Sequence, residues 1–428
     1  MAGFGIVLAA LPALGAGRLW TAWVFFWTIF VVLAGVDAVL AMRGSALSTE
    51  LSLPETLHVG APEALVLTLG GLAARRAPVE LRLDLSDTLT PQPAQRARAS
   101  DSGARFTVPI LPLRRGLAEI EAAWARYTGP LGIMLRSVRI PLGRRASVVP
   151  NLPSVRAAAV RFWSPREYAA GLKIERFVGD GTEFDCLREF LPGFDRRSVD
   201  WRASARHTKL LCRQFRAERS HQIVLVVDTG RLMAEPLGDP AIPRLDHAVH
   251  AGLLLAYMSA RTGDRVGLFA FDERPRLFAP PRAGNVAFRA LLEESANLDY
   301  STAETNYTLG LTELMSRLTR RSLVIVLTDF VDTVTAELMI ENVRRLSRRH
   351  LVVFVALRDP MLAEIAGRAP STMVDLNRAI VADSFLRERD LVLTRLRRQG
   401  VFCIDAPPTR VGVDLVNRYL EIKRRELI

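Results

Sequence analysis

Cysteine is almost missing from this chain of 428 residues. Cys186, Cys212 and Cys403 are odd in number, far apart and in no CxxC or Cys/His spacing, which excludes a disulfide framework and a thiolate zinc site. Phosphate-cradling glycine loops are missing as well: there is no GxxxxGK[ST], and no GxGxxG opens a helix after a strand. Nucleotide hydrolysis by this chain is therefore not expected. Ser204 in "RASAR" has no GxSxG elbow around it. His247 and His250 in "DHAVH" stand at i, i+3 beside Asp246 but lack a glutamate base, so they read as helix surface rather than a metal face. Acidic residues fall short of basic ones, 45 against 57, for a net charge of +12. The arginines are dispersed without interleaved aromatics, so no nucleic acid is expected, and the excess reads as a solvated face beside an anionic leaflet.

What is present starts with a long apolar run. "LWTAWVFFWTIFVVLAGVDAVLAM", Leu19 to Met42, is 24 residues with one charge, long enough to span a bilayer. Before it, Phe4 to Gly17 is apolar but only 14 residues long. Without a basic n-region, and with a longer span directly behind it, it reads as the first limb of a transmembrane hairpin turning at Arg18, not as a cleaved signal. Nearly all basic residues follow Met42, which places the soluble part in the cytoplasm at the inner membrane, with both termini inside.

Four textures follow one another: the transmembrane hairpin over 1–43, a β-domain over 44–150, a connector over 151–220 and an α/β domain over 221–428. Short alternating runs such as "ALVLTLGGL", "VELRLDL" and "RFTVPILPL", separated by Gly, Pro and Asp, predict an all-β sandwich in the second. The connector is charged and aromatic with little periodicity. From His221 onward, strands such as "QIVLVVD", "RVGLFAFD", "SLVIVLTD", "LVVFVAL" and "VFCIDA" alternate with helical patterns, which predicts a doubly wound parallel sheet covered by helices. In such sheets ligands sit beyond the carboxyl ends of the strands, where Asp228, Asp272 and Asp329 fall.

Asp228 in "VVDTGRLM", Thr305 in "ETNYTLGL" and Asp329 in "VLTDF" are arranged so that the last domain resembles a von Willebrand factor A domain, whose metal-ion-dependent adhesion site has DxSxS after the first strand, a Thr before a helix and an Asp after the fourth strand. Those oxygen ligands suit Mg²⁺. Here Gly230 and Leu232 stand where the two serines would, so the resemblance implies a degenerate site at Asp228, Thr305 and Asp329, with Mg²⁺ held weakly or not at all; restoring both serines would then strengthen it. The alternative is that the three residues cap loops and helix ends.

"DCLREFLPGFDRRSVDWRASARHTKLLCRQFRAER" resembles the defining segment of a bacterial family termed domain of unknown function 58, matching at Arg188, Gly193, Asp195, Arg197, Asp200, Trp201, Ser204, Arg206 and Lys209. "YTGPLGIMLRSV" resembles the family's D-PLGL element, with Gly129 in place of the Asp. The resemblance implies a membrane-anchored protein with no established reaction and a MoxR-type AAA+ ATPase as partner, beside other membrane-complex proteins and the lipid bilayer. Asp195, Arg197, Asp200, Trp201, Arg202 and Arg206 put paired charges around an indole, either as a packing clamp or as a partner surface. As a clamp, losing Trp201 to alanine would cost roughly 3 to 5 kcal/mol. The leading expectation is a non-enzymatic adaptor without a cofactor; the competing one is a metal-assisted hydrolase using Asp228, Asp329 and Asp200.

Overall fold

An apolar run of this length has no core inside the protein to enter. It forms helix α1, Leu19–Arg43, in the computed structural model, which describes residues 19–43, 48–70, 78–98, 103–129, 131–162, 178–190, 199–216, 221–330 and 333–427. Phe25 and Val31 on it are 67% and 64% exposed, so α1 is not the buried helix of a soluble core, and its stretch Trp23–Leu40 is long and apolar enough to cross a membrane. The expected first limb of the hairpin, residues 4–17, lies outside the described residues, and the described part is a single helix.

The chain divides into two units, residues 1–149 and 150–428. In the first, strands β1 (Ser48–Ser52), β2 (Thr56–His58), β3 (Glu63–Gly70), β4 (Pro78–Leu85), β5 (Gln95–Arg98), β6 (Ala104–Ile110), β7 (Gly116–Thr128) and β8 (Leu135–Val149) form two sheets. Their orders are β1-β3-β6 and β2-β8-β7-β4-β5. The period-2 pattern read from the sequence is realised: along β6, Ala104, Phe106, Val108 and Ile110 are buried while Arg105, Thr107 and Pro109 face outward. Strands β7 and β8 form one long antiparallel hairpin, closed by a loop in which Gly129 N–H donates to Met134 O at 2.9 Å.

The second unit begins with α2 (Leu152–Phe162) and a connector of more structure than its texture predicts. Strands β9 (Val178–Glu189) and β10 (Leu211–Arg216) pair antiparallel, with helix α3 (Trp201–His207) between them. The α/β part follows as β11 (Gln222–Asp228), α4 (Arg244–Arg261), β12 (Arg265–Phe271), β13 (Pro275–Ala283), α5 (Gly284–Ala296), α6 (Tyr307–Arg317), β14 (Leu323–Leu327), α7 (Thr333–Ser347), β15 (Leu351–Leu357), α8 (Pro360–Gly367), α9 (Met373–Arg398), β16 (Phe402–Ala406) and α10 (Val411–Arg424). The sheet order is β13-β12-β11-β14-β15-β16, parallel throughout except for β13 at the edge. Because β11 is central, its side chains enter two cores. Ile223, Leu225 and Val227 pack with Leu253, Leu254, Leu415 and Tyr419 of α4 and α10, while Val224 and Val226 pack with Leu311, Met339, Val343 and Leu396 of α6, α7 and α9. That two-sided burial explains the near-continuous apolar run that marked the strand.

Helix α4 corrects one expectation. His247 and His250 do not lie on an open helix surface, because α2 and the segment before α4 pack over them. His250 Nε2 is 3.2 Å from Ser154 Oγ on α2, and His247 Nε2 is 3.3 Å from Leu237 O. Burial, with the nearby His247 adding to it, pushes the His250 imidazole down to about 4; burial also lowers that of His247. A histidine whose folded-state value is depressed binds its proton more readily unfolded, so folding stability is full above the unfolded value near 6.5 and falls as pH drops toward 4. His250 is expected to contribute a slope approaching about 1.4 kcal/mol per pH unit across that window. Urea unfolding of the parent and of His250→Gln at pH 7, 6 and 5 checks this: the substitution should flatten the acid limb by close to one proton, and an unchanged limb would refute it.

Candidate functional site

The carboxyl edge of the sheet gathers four aspartates, Asp228, Asp272, Asp329 and Asp405, the last two bridged by Arg389. Asp228, the last residue of β11, is 1% exposed. Its Oδ1 accepts from Gly230 N–H and Thr305 Oγ1, each at 2.8 Å, and its Oδ2 accepts from Thr328 Oγ1 at 2.6 Å and Tyr307 OH at 3.2 Å. The loop that carries Thr305 is pinned to the strand ends: Arg231 N–H donates to Ala303 O and Asn306 N–H to Asp272 O, each at 2.8 Å. Asn306 then caps α6 by accepting from Leu309 N–H. Burial raises the Asp228 carboxyl above its usual range, against the pull of the bonds from Thr328, Gly230, Thr305 and Tyr307. Burial and the Asp228 charge likewise push the Tyr307 phenol well up, so it stays a hydrogen-bond donor.

Asp329 is 5% exposed and held by cations. Arg244 Nε lies 3.0 Å from Oδ2, and Arg389 Nη1 lies 2.6 Å from Oδ1, which also accepts from Phe330 N–H at 3.0 Å. Arg389 continues to Asp405 Oδ1 at 3.0 Å and lies over the Phe330 ring, 5.1 Å from its centroid. Asp405 in turn holds Arg358 at 2.8 Å. Burial works against the Arg389 charge, and Asp329 and Asp405 outweigh it, so its guanidinium is held above its ordinary value. Asp272 is paired with Arg276, whose Nε is 2.8 and 2.7 Å from its two oxygens.

The structure therefore brings Asp228, Thr305 and Asp329 to one edge, as the motif spacing implies, but in a closed arrangement. Thr305 binds Asp228 directly, and the guanidinium groups of Arg244 and Arg389 bring positive charge against Asp329 where a cation would need a free carboxylate. These residues do not fit a divalent ion, and among the described residues no cluster of three or more His, Cys, Asp or Glu is arranged to hold a metal. Arg244, Arg389, Tyr307 and Thr328 were not singled out from the sequence. Tyr307 and Thr328 lie within two positions of motif residues, so their hydroxyls were a usable signal; Arg244 and Arg389 come from distant helices and left none.

In the connector, Asp200 caps α3, its Oδ1 accepting from Arg202 N–H and Ala203 N–H, each at 3.0 Å. Ser204 Oγ donates to Asp200 O at 2.7 Å and accepts from Leu211 N–H at 2.9 Å, so it ties α3 to β10. Trp201 is 72% exposed, and α3 buries none of its residues. The clamp reading of Trp201 is corrected: as the first residue of a helix of seven, it points outward beside the exposed Arg202 and Arg206. Asp195 and Arg197 lie outside the described residues.

Gly230 corrects the expectation about restored serines. A Cβ at position 230 would overlap Thr305 Oγ1, so a serine there must displace the hydroxyl that solvates Asp228. Gly230→Ser, alone or with Leu232→Ser, is expected to lower stability by about 1–3 kcal/mol through overpacking and to gain no Mg²⁺-dependent rise in melting temperature. Thermal melts with and without Mg²⁺ check it, and a variant that melts like the parent but rises with Mg²⁺ would overturn it.

Residues 186–384 match the family model described as "Protein of unknown function DUF58". Uncharacterized proteins of Mycobacterium bovis and Mycobacterium tuberculosis are 24% identical over 207 residues, 48% of this chain and 64% of theirs, so the match spans less than two thirds of those relatives. Among solved structures, the conserved hypothetical protein BatB from Bacteroides thetaiotaomicron aligns over 48% of this chain and 100% of its own, at 12% identity and a TM-score of 0.32. An uncharacterized membrane spanning protein from Vibrio fischeri aligns over 46% and 96%, at 17% identity and a TM-score of 0.18. Those two scores are too low to carry an argument. The family segment read from Arg188 to Lys209 falls inside the matched range, so residues 186–384 of this chain are similar to the family of unknown function DUF58.

Proposed function

We propose that this chain is a membrane-anchored, non-enzymatic adaptor, and that its α/β part is a von Willebrand factor A-like domain whose adhesion site has been rebuilt as a closed network of hydroxyls and ion pairs. Helix α1 is the anchor, the inner membrane its location and the cytoplasm the side on which the soluble part works. The partner is a MoxR-type AAA+ ATPase, as the family resemblance implies. One observation carries the reading: both oxygens of Asp329 hold arginines, while both oxygens of Asp228 hold hydroxyl groups of the same chain. A site closed by its own side chains has no open metal position for water or for a partner's carboxylate. The hydrolase alternative is disfavoured on the same ground, with Asp200 engaged in capping its own helix.

Titration calorimetry of the full chain in detergent with Mg²⁺ and Mn²⁺ tests the closed site. No saturable heat is expected at millimolar metal, and stoichiometric binding that vanishes in Asp329→Ala would mean an open site.

Recognition then falls to the surface. Trp201 with Arg202 and Arg206 has the residue types that dominate interface energies, and the three lie exposed together on α3. Trp201→Ala is expected to change stability by no more than about 0.5 kcal/mol, as an exposed site does, while weakening capture of the purified ATPase by the full chain about tenfold or more. A variant that melts far below the parent would restore the clamp reading; one that binds the ATPase like the parent would exclude α3 from the interface.

A further inference from the structure

Asp37 is the charged residue inside the apolar stretch of α1, and it is fully buried although the stretch around it is mostly exposed. What covers it is a loop of the β-domain. Asp37 Oδ1 accepts from Leu131 N–H at 2.7 Å, and Oδ2 accepts from Ile133 N–H at 2.9 Å and Met134 N–H at 2.7 Å. The loop is shaped for the carboxylate: Gly132 N–H bonds Gly129 O at 3.0 Å, and a Cβ on Gly129 would fall on the Asp37 carboxylate. A carboxylate buried by the protein without donors is costly, and buried loop N–H groups without partners would be costly too. Each satisfies the other.

The same loop is apolar on its outer side. Leu131, Met134 and Leu135 are 49%, 42% and 52% exposed. Their level is fixed by the clamp: at about 1.5 Å per residue, Asp37 lies about 4.5 Å before Leu40, where the apolar stretch ends, and about 9 Å before Arg43. Peptide groups within hydrogen-bonding distance of Asp37 lie at that level, which for a helix spanning a bilayer is the boundary between acyl chains and headgroups. In water, three large apolar side chains in one short loop are an unfavourable exposure; at that boundary they are in their preferred medium.

We propose that residues Leu131–Leu135 make a lipid contact, seated in the headgroup–acyl boundary by Leu131, Met134 and Leu135 and held at that depth by the Asp37 carboxylate. The occupant of the apolar face is the bilayer surface itself, because the loop is hydrogen-bonded to the helix that enters it. The β-domain is thus attached to the membrane at two points, the chain connection after Arg43 and the loop, so it cannot swing freely on α1. This inference rests on the membrane-anchored reading of α1.

The test uses the full chain in vesicles of phosphatidylcholine and phosphatidylglycerol, with an environment-sensitive fluorophore on Leu131→Cys, on Val31→Cys in mid-helix, or on Leu117→Cys. Leu117 is a comparably exposed leucine, 55%, at the far end of β7, about 35 Å from the loop at strand rise. The parent with its native cysteines, labelled in parallel, sets the background. Lipids carrying a spin label at the 5- or the 12-position of the acyl chain report depth. The Leu131 label is expected to be quenched more by the 5-position lipid, the Val31 label more by the 12-position lipid, and the Leu117 label by neither. Asp37→Asn should at least halve the quenching at 131 and leave that at 31 unchanged, with helix content by circular dichroism like the parent's. Quenching at 31 but not at 131 would refute the loop and leave the anchor standing. Quenching at neither would refute the anchor and the loop with it. A Leu131 label shielded from aqueous iodide, unquenched by lipid and more shielded as protein density rises would assign the face to a second copy of the chain. Parental quenching at 131 in Asp37→Asn would refute the clamp.

Discussion

A carboxylate removed from water loses a solvation free energy of several kcal/mol even after the protein relaxes around it, and the structure must return it by other donors. Four of the six aspartates buried among the described residues meet that constraint with four different donor sets. Asp228 takes three hydroxyls and a backbone N–H. Asp329 takes two guanidinium groups and a backbone N–H. Asp264, fully buried at the opposite edge of the sheet, takes His221 N–H, the hydroxyls of Thr262 and Tyr419 and the Lys423 ammonium, which locks α10 onto the sheet. Asp37 takes three loop N–H groups. Each set joins elements far apart in sequence, so satisfying the charge and fixing the tertiary arrangement are one event.

That coupling bears on what the sheet edge can do. An adhesion site that works through a metal keeps its carboxylates oriented but leaves a coordination position for a partner. In this chain the strand-end carboxylates are held by its own side chains, and the ion pairs run on through Arg389 to Asp405 and Arg358, across the ends of β14, β15 and β16. Buried pairs of this kind add little net stability over an apolar packing, but removing one partner strands the other. The edge is therefore self-contained, each of its buried carboxylates satisfied by donors of the same chain.

Periodicity carried the fold and donor identity did not. The five parallel strands were legible because burial on both faces leaves near-continuous apolar runs, and the β-domain because burial on one face leaves alternation. The edge strand β13 was not, since "PRLFAPPRA" has three prolines and a half-exposed pattern that tertiary pairing to β12 overrides. The first turns of α9 were missed for a related reason: Met373, Val374, Ile380 and Val381 are exposed, so no buried stripe marks them. At the site, Asp228, Thr305 and Asp329 were found because strand ends and helix starts are local signals. The arginines that neutralise Asp329 come from residues 85 and 60 positions away, a separation no local pattern reports. Trp201 was left open between clamp and outward surface because a large aromatic among charges has the same composition whether it is buried or presented outward.

The two glycines that depart from the resembled motifs share a physical logic. Gly129 stands where the resembled element has an aspartate, and the carboxylate of Asp37, from another element, occupies the space a Cβ would need. Gly230 stands where the resembled motif has a serine, and the hydroxyl of Thr305 occupies the corresponding space. In each case an oxygen from a distant segment lies where a side chain would begin, and glycine is the residue that leaves room for it. Such exchanges alter connectivity while conserving local chemistry. The Asp37 oxygen ties a helix to a loop of the β-domain, and the Thr305 oxygen ties the loop before α6 to the end of β11. A side chain supplied at position 129 or 230 would satisfy groups close to it in sequence. Supplied from Asp37 or Thr305, the same oxygen can be in place only when the distant element is in place, so at both glycines a local polar contact has become a tertiary one.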